Sequence, residues 1–515
     1  MAYNKILDYW FPKDINIIPK FWFDASPETD KYIVDNFTEL LQLAEKHLLN
    51  DWKRSVKSHL ALIILLDQFS RHIYRGGIDV YKNDLIAYFY TQEFFLDNKD
   101  QDLTILEKMM ALMPYRHQEK KNTYDLVINY IEKETDPLWD KFKFHTKRKY
   151  EEILSKSYIF SRYPFVCKKY ECILEYPWSN TMQKPKLDTK IEDIVLTLRK
   201  YIVNNINKDK NNIIIVSLSG GVDSMVILYI LKMLNIINVV AVHLDYHNRM
   251  ETGLESEFLF EWCNYMNIPL YYRYIHEGAR DEVDREKYEE LTKEIRFNIY
   301  KKVKNIYHNY NCLGVILGHH KGDLQENVFF NLMKGRTLTD LSVIKEQSEF
   351  MGVKVLRLLI SHPKSNIFDF AHKYKIPYFK NTTPTWSNRG KYRNTIEPYL
   401  IETFGEGILT NLSKISKESD ELQHIIRESI IKPYFETIEI KDDGHYLPKT
   451  LNQPMTYWKY IIHEWCHRNK LPVVSHKLIV LLHEKMYSSY KIIINCSATL
   501  KITVMTNYLI ISFKQ

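Results

Sequence analysis

Apolar positions change their spacing along the chain, and with it the kind of structure they predict. Thr29 to Leu48 carries apolar residues at helical spacing, and His59 to Tyr74 is apolar enough to be a buried helix ending at Arg75-Gly76-Gly77. Trp10 to Phe23 is rich in aromatic residues, and of the 15 glycines only Gly76 and Gly77 precede residue 220. The first third therefore reads as helices with few special turns. Asp67, Arg71 and Arg75 fall at i, i+4 and i+8, which predicts an ion-pair ladder on one helix face.

Between Tyr176 and Lys190 the chain turns polar and aperiodic, with Pro177 and Pro185, and predicts a linker. Beyond it the β-rich runs Ile213 to Ser217, Val239 to His243, Leu270 to Tyr274 and Gly314 to Leu317 alternate with helical stretches. That alternation predicts a parallel sheet with crossover helices. A long amphipathic helix, Leu409 to Ile431, is expected to stop at Pro433. A smaller unit then ends in the expected strands Tyr490 to Cys496 and Tyr508 to Phe513. The resulting division is a helical domain over 1–178, a linker over 179–190, an α/β nucleotide-binding domain over 191–402, a helical connector over 403–438 and a small α+β appendage over 439–515.

Composition narrows the class without naming a function. The 515 residues are 45% hydrophobic and 26% charged, which fits a multidomain globular chain and excludes wholesale disorder. A net charge of +7 over this length leans only mildly toward polyanions. The longest apolar run, Leu60 to Leu66, falls short of the ~20 residues of a membrane span, and Met1 to Phe11 lacks a signal-peptide pattern. A soluble cytoplasmic protein with no membrane partner is expected. Six cysteines without a Cys-x-x-Cys pair suit reduced thiols, and His463, Cys466 and His467 lack an evident fourth ligand for zinc.

The run Ile213 to Met225 is a buried strand, a turn Ser217-Leu218-Ser219-Gly220-Gly221 and a helix. Adjacent glycines let the backbone fold tightly, so N–H groups and the hydroxyls of Ser219 and Ser224 are expected to face the helix start, an anion site suited to pyrophosphate. The Gly-Lys-Ser/Thr P-loop and the Gly-x-Gly-x-x-Gly dinucleotide fingerprint are both absent, so γ-phosphate hydrolysis and hydride transfer lose support. Asp223 would repel a phosphate unless a cation intervenes, which predicts Mg²⁺ between them. In the block Gly318 to Asn327, Asp323 and Glu326 stand three apart on one helix face.

These residues resemble the PP-loop pyrophosphatase superfamily, with its adenine nucleotide α-hydrolase-like fold, whose members split ATP between the α and β phosphates and attach AMP to a carbonyl oxygen. Further blocks resemble its tRNA(Ile)-lysidine synthetase branch: His243-Leu244-Asp245 with Arg249, Thr252 and Glu255; Glu294-Ile295-Arg296-Phe297; Gly318-His319-His320-Lys321-Gly322-Asp323-Leu324-Gln325-Glu326-Asn327. Leu332 to Arg336, Val355-Leu356-Arg357 and Tyr392-Arg393-Asn394 follow in order, and Tyr446 to Phe513 is similar to that branch's tRNA-binding appendage. Four positions depart from the pattern: Tyr246 for a second His, Gly322 for an Asp, Asn381 for an acid and Glu397 for an Arg.

The resemblance implies a ligase that uses ATP and Mg²⁺ to join free lysine to an anticodon cytidine of an isoleucine tRNA. It implies catalytic roles for Asp223, Arg296, His319, Asp323 and Glu326, with Asp223 also on the metal. ATP would be bound by Ser219, Gly220, Gly221, Val222, Asp223, Ser224, His243, Leu244 and Gly318. Contacts to tRNA would come from Arg357, Lys391, Arg393 and Asn394. Carboxylates on one face beside an adenylation site suit capture of an amine and acceptance of its proton. The stretch Lys364 to Arg393 interleaves Lys373, Lys375, Lys380 and Arg389 with Tyr374, Tyr378, Phe379, Trp386 and Tyr392, a mixture suited to RNA. The alternatives are a PP-loop tRNA thiolase, for which paired cysteines are missing, and a tRNA- or protein-binding scaffold on a decayed synthetase.

The first 175 residues resemble an uncharacterised, tetratricopeptide-like helical family through Phe21-Trp22-Phe23-Asp24, Leu65 to Gly76 and Met113 to Glu119. This implies a fold and no chemistry, leaving recruitment of a protein partner as one open role. His117 and Glu119 are expected at a capped turn with the histidine satisfied.

Overall fold

The computed structural model describes the chain except residues 1, 12–17, 23–25, 78, 161–166, 177–191, 248–250, 276, 278–284, 382, 384, 386, 451, 487–489, 497–499 and 514–515. The linker expected over 179–190, Arg249 and Trp386 lie outside the described residues. Contacts divide the chain into two compact units: Met1–Asp323 with Lys345–Lys391, and Leu324–Ile344 with Tyr392–Gln515. Among the described residues no helix is long and apolar enough to cross a membrane.

In the first unit, helix Ala2–Trp10 is followed by helices Pro27–Glu45, Val56–Ile64, α1 (Asp84–Leu96), Ile105–His117, Lys121–Ile131 and Asp140–Phe160. Ser26 caps Pro27–Glu45, and Thr104 and Glu107 form a reciprocal capping box on Ile105–His117. Trp10, Phe37, Leu41, Leu66 and Phe69 share a buried core among them. The expected buried helix is present but swells into a π-helical turn at Leu65–Phe69 before Ser70–Ile73.

The expected ladder does not close on itself. Asp67 pairs with His117 at 2.7 Å, Arg71 with Asp84 at 2.7 Å and Arg75 with Asp30 at 2.7 Å, because each side chain finds a partner on another element. His117 is thereby satisfied, and Glu119 pairs with Lys149 at 3.0 Å.

Next comes a sheet built from β1 (Asn212–Ser217), α2 (Val222–Leu234), β2 (Asn238–Asp245), α3 (Thr252–Tyr265), β3 (Leu270–Tyr274), α4 (Arg285–Ile306), β4 (Asn311–Ile316), α5 (Lys321–Met333), β5 (Gln347–Phe350), β6 (Val353–Leu356) and α6 (Lys364–Lys373). The spatial order is β3-β2-β1-β4-β6-β5, parallel throughout except for the antiparallel pair β5·β6. Ile213 and Ile215 enter one buried core and Ile214 and Val216 another, so both faces are covered and the strand reads as continuously apolar. The second of these cores is continuous with Phe89, Leu112, Val127 and Trp139 of the N-terminal helices. Helical segment and sheet are thus parts of one packed body.

In the second unit, helix Gly407–Ile426 passes through a π-helical turn, Arg427–Ile431, into Lys432–Phe435. Pro433 therefore sits in the first turn of a new helical segment, where its missing N–H costs nothing, and does not end the run as expected. Strands Glu439–Lys441, Gly444–Pro448, Ile492–Asn495, Leu500–Val504 and Tyr508–Phe513 form an antiparallel sheet among the described residues. Helices Met455–Arg468 and His476–Lys485 cover it with Trp458, Trp465 and Leu482.

The turn after β1 depends on bare backbone. Gly220 has φ +80°, its carbonyl accepts the Phe379 N–H at 2.9 Å, and a Cβ there would run into the Phe379 ring. Gly76 has a similar φ of +77° with nothing within 4 Å of an added Cβ. Gly76→Ala is expected to cost about 1–2 kcal/mol from the left-handed backbone alone. Gly220→Ala adds overpacking, for roughly 2–5 kcal/mol in all; denaturant unfolding of both variants checks the difference.

Candidate nucleotide site and its charged surround

The chain runs from β1 to β2 and β3 on one side and returns to β4 on the other. In an open parallel sheet such a switch point leaves a crevice beyond the carboxyl ends of the two strands. The turn leading to α2 follows β1, and Gly318-His319 follows β4. The two segments approach so closely that a Cβ on Gly318 would lie 2.9 Å from the Asp223 Cβ and 3.3 Å from the Ser224 nitrogen.

Gly221 is the N-cap of α2, in extended conformation and with no side-chain cap. The first-turn N–H groups of Val222 and Asp223 therefore point out of the helix start, where the dipole favours an anion. The serine hydroxyls serve the turn itself. Ser224 Oγ accepts the Ser219 N–H at 3.2 Å and donates to the Gly221 carbonyl at 3.0 Å, while Ser219 Oγ accepts the Gly221 N–H at 3.4 Å.

Asp223 is held by Lys364 at the start of α6, whose Nζ donates to both carboxylate oxygens at 2.6 and 2.7 Å. Sequence reasoning assigned Lys364 no role at the site. Its signal was a lysine just after Pro363, opening the basic and aromatic stretch. Among the described residues no group of three or more His, Cys, Asp or Glu side chains is placed to hold a metal ion. Mg²⁺ commonly takes only one or two carboxylates and completes its shell with phosphate and water. The donor set thus fits an ion shared between Asp223 and a bound pyrophosphate.

His243 is fully engaged inside the fold: Nδ1 lies 2.8 Å from the Leu218 carbonyl and Nε2 3.1 Å from Ser256 Oγ. Its ring braces the start of the turn, and burial lowers its pKa. Leu244 packs in the core beside it. Arg296 on α4 donates to the Tyr246 hydroxyl at 2.5 Å, so the tyrosine that replaces the usual histidine holds this guanidinium.

His319 and Asp323 form the second half of the site. Asp323 Oδ2 accepts the His320 amide at 3.0 Å and Oδ1 accepts from Arg389 at 2.7 Å. Burial opposes ionisation, but His320, its amide, Arg389 and His319 together hold this carboxyl below the usual range. His319 Nδ1 is buried without a hydrogen-bond partner. Burial pushes its pKa down to about 4, with Asp323 opposing and Arg357, Arg389 and Arg296 assisting. The departure at Gly322 has a local cause: its N–H donates to His320 Nδ1 at 3.0 Å, and a Cβ would lie 2.9 Å from the His320 ring.

The positions matched to tRNA contact are differently placed. Arg357 spends its guanidinium on the Lys345 carbonyl and Ser348, each at 2.9 Å. Lys391 is exposed, as is Asn381, whose side chain closes a turn onto Thr383 at 3.1 Å. In the second unit Arg393 donates to Glu326 at 2.9 Å, and Asn394 is exposed. Burial raises the Glu397 pKa with Arg393 opposing, which places this departure beside Arg393.

Because the unfolded His319 binds a proton below about 6.5 and the folded one only below about 4, the unfolded state binds more protons in between. Its burial thus costs stability progressively as pH falls through that window. His319→Gln is expected to gain on the parent chain over that interval and to show a constant difference above it, read by urea unfolding across pH.

A model of a PP-loop domain matches residues 194–402, and a model described as a bacterial protein of unknown function (DUF924) matches residues 6–166. A tRNA(Ile)-lysidine synthase from Chlamydia felis is 28% identical over 51% of this chain and 82% of its own length. One from Enterococcus faecalis is 24% identical over 50% of this chain and 56% of its own. A protein of unknown function from Agrobacterium tumefaciens covers 31% of this chain and 90% of its own, with 24% identity and a TM-score of 0.27. A U34-tRNA thiolase from Methanococcus maripaludis covers 48% of this chain and 87% of its own, with 16% identity and a TM-score of 0.35. The chain thus joins an N-terminal segment that matches the DUF924 model to one that matches the PP-loop model, and tRNA(Ile)-lysidine synthases align with about half of the chain.

Proposed function

We propose that the chain is an ATP-dependent tRNA-modifying ligase that attaches lysine to an anticodon cytidine. The observation that carries this reading is the close approach at the switch point, where the uncapped helix start with Asp223 lies against Gly318, the residue that leads into a neutral His319 and a buried, ionised Asp323. In this reading the N–H groups at the start of α2 bind the phosphates, and Asp223 holds Mg²⁺, which supplies charge neutralisation on the leaving pyrophosphate. The cytidine C2 carbonyl oxygen attacks the α-phosphate and pyrophosphate leaves. Lysine Nε then attacks C2, AMP leaves with the oxygen, and the amine proton passes to a carboxylate.

Asp323 is the proposed acceptor, with Glu326 three residues on as the second acid. Arg389 is 55% exposed where it pairs with Asp323, so an incoming ammonium exchanges one cation for another at modest cost. Lys364 is proposed to leave Asp223 for the phosphates when ATP and Mg²⁺ bind. Arg296 is proposed to balance charge developing on the α-phosphate. Arg357, Lys391, Arg393 and Asn394 are proposed to meet tRNA, and the N-terminal helices, packed in succession, are proposed to be tetratricopeptide-like. Sulfur transfer is less well served, since burial pushes the Cys263 and Cys312 thiols up.

The test incubates the chain with ATP, Mg²⁺, labelled lysine and a CAU-anticodon tRNA and scores alkali-stable label. Label that requires the anticodon cytidine is expected, and its absence overturns the ligase reading. Asp223→Asn is expected to cut pyrophosphate release by about a hundredfold or more with the fold intact; undiminished release contradicts the role given to Asp223.

A further inference from the structure

β3 is the edge strand of the sheet, and its outward N–H and C=O groups need partners. Helix α1 supplies them from its side chains. Gln92 Nε2 donates to the Leu270 carbonyl at 2.6 Å and its Oε1 accepts the Tyr272 N–H at 3.0 Å, as a neighbouring strand would. Glu93 Oε1 accepts the next outward amide, Tyr274 N–H, at 3.2 Å. Glu93 is itself fixed by Lys53 at 2.7 Å and Arg273 at 3.2 Å.

The contacts do not end at the edge. Phe89 stacks on the Tyr272 ring with centroids 3.7 Å apart and planes 17° from parallel. The Tyr272 hydroxyl donates to Asp245 Oδ2 at 2.9 Å, and Asp245 Oδ1 accepts the His247 N–H at 2.8 Å. Asp245 closes β2 two residues after His243, the ring that braces Leu218 at the start of the pyrophosphate turn. Ser256 joins the two, lying 3.1 Å from His243 Nε2 and 3.4 Å from Asp245. Covering an edge needs only bulk or charge. Here the contacts on Tyr272 lead through its one buried hydroxyl to Asp245, at the end of the strand beside the nucleotide turn.

We propose that α1 is a positioning element of the nucleotide site: Phe89 and Gln92 set Tyr272, and Tyr272 sets Asp245 and the end of β2. The inference rests on the ATP-binding reading of the turn but not on lysine transfer. It gives the N-terminal segment a function inside the catalytic body, and Phe89 and Gln92 are positioning residues, since neither touches the turn.

The test measures Mg·ATP binding to the full chain by calorimetry, with amide hydrogen exchange at Tyr272 and Tyr274. Gln92→Met and Phe89→Leu are expected to weaken ATP binding about fivefold or more, the scale of one lost buried hydrogen bond. Tyr272→Phe keeps the stacked ring and the strand edge and removes only the link to Asp245; it is expected to weaken binding by a similar factor without faster exchange of the edge amides. Asn122→Ala removes a contact between the N-terminal helices and the Ile268 carbonyl, 3.4 Å away, that is outside this route; its ATP affinity is expected to stay within about twofold of the parent.

Unchanged affinity in Tyr272→Phe overturns the proposal, whether or not the other variants fold. Faster exchange in Gln92→Met with unchanged affinity also overturns it, leaving α1 as a cover. A parent chain that binds no ATP overturns this inference together with the nucleotide reading. One that binds ATP and transfers no lysine overturns the ligase reading alone.

Discussion

The site depends on places where backbone must approach without a side chain. Gly220 lies under the Phe379 ring, Gly318 lies against Asp223 and the Ser224 nitrogen, and Gly322 lies under the His320 ring. In each case a Cβ would displace a group that defines the crevice. The first seats Phe379 against the turn after β1, and the second brings the ends of β1 and β4 together at the switch point, so the helix start and Asp223 lie against the segment that leads into His319. The third lets His320 fold back, and its amide fixes Asp323. Chemistry at this end of the sheet is set by main-chain geometry before any charge is considered.

Charge then adds a second constraint. In the first unit Asp223 is neutralised by Lys364 and Asp323 by Arg389; in the second, Glu326 is neutralised by Arg393. An ion or ammonium that enters must replace an existing partner, so binding gains only the difference between the two. Such exchange favours a ligand that brings several charges in a fixed arrangement, as a metal-bound triphosphate does. His319 differs from its neighbours in being held neutral, with a buried nitrogen left unsatisfied by the protein. Like the outward N–H groups at the start of α2, that atom offers a polar ligand a bond without displacing a protein partner.

Much of the sheet was legible because parallel strands buried on both faces must be continuously apolar, and Ile213 to Val216 or Val239 to Val242 can be little else. The turn was legible because adjacent glycines between a strand and a helix have few other uses. Partners distant in sequence were not: Lys364 reaches Asp223 across 141 positions, and Gln92 reaches Tyr272 across 180. The ladder of Asp67, Arg71 and Arg75 had the right spacing but found better partners on other helices. Gly322 and Tyr246 looked like losses against the family pattern, yet one makes room for a ring and the other holds Arg296. The division at residue 178 followed a change in composition, whereas packing carries one core across it.

The proposed chemistry depends on where ATP binds, and a crystal structure with Mg²⁺ and a non-hydrolysable α,β-methylene ATP tests this most directly. The triphosphate is expected on the Val222 and Asp223 amides, the ion on Asp223, and Lys364 moved from the carboxylate to the phosphates. A nucleotide bound elsewhere, or one bound with the Lys364–Asp223 pair intact and no ion on Asp223, would contradict that arrangement.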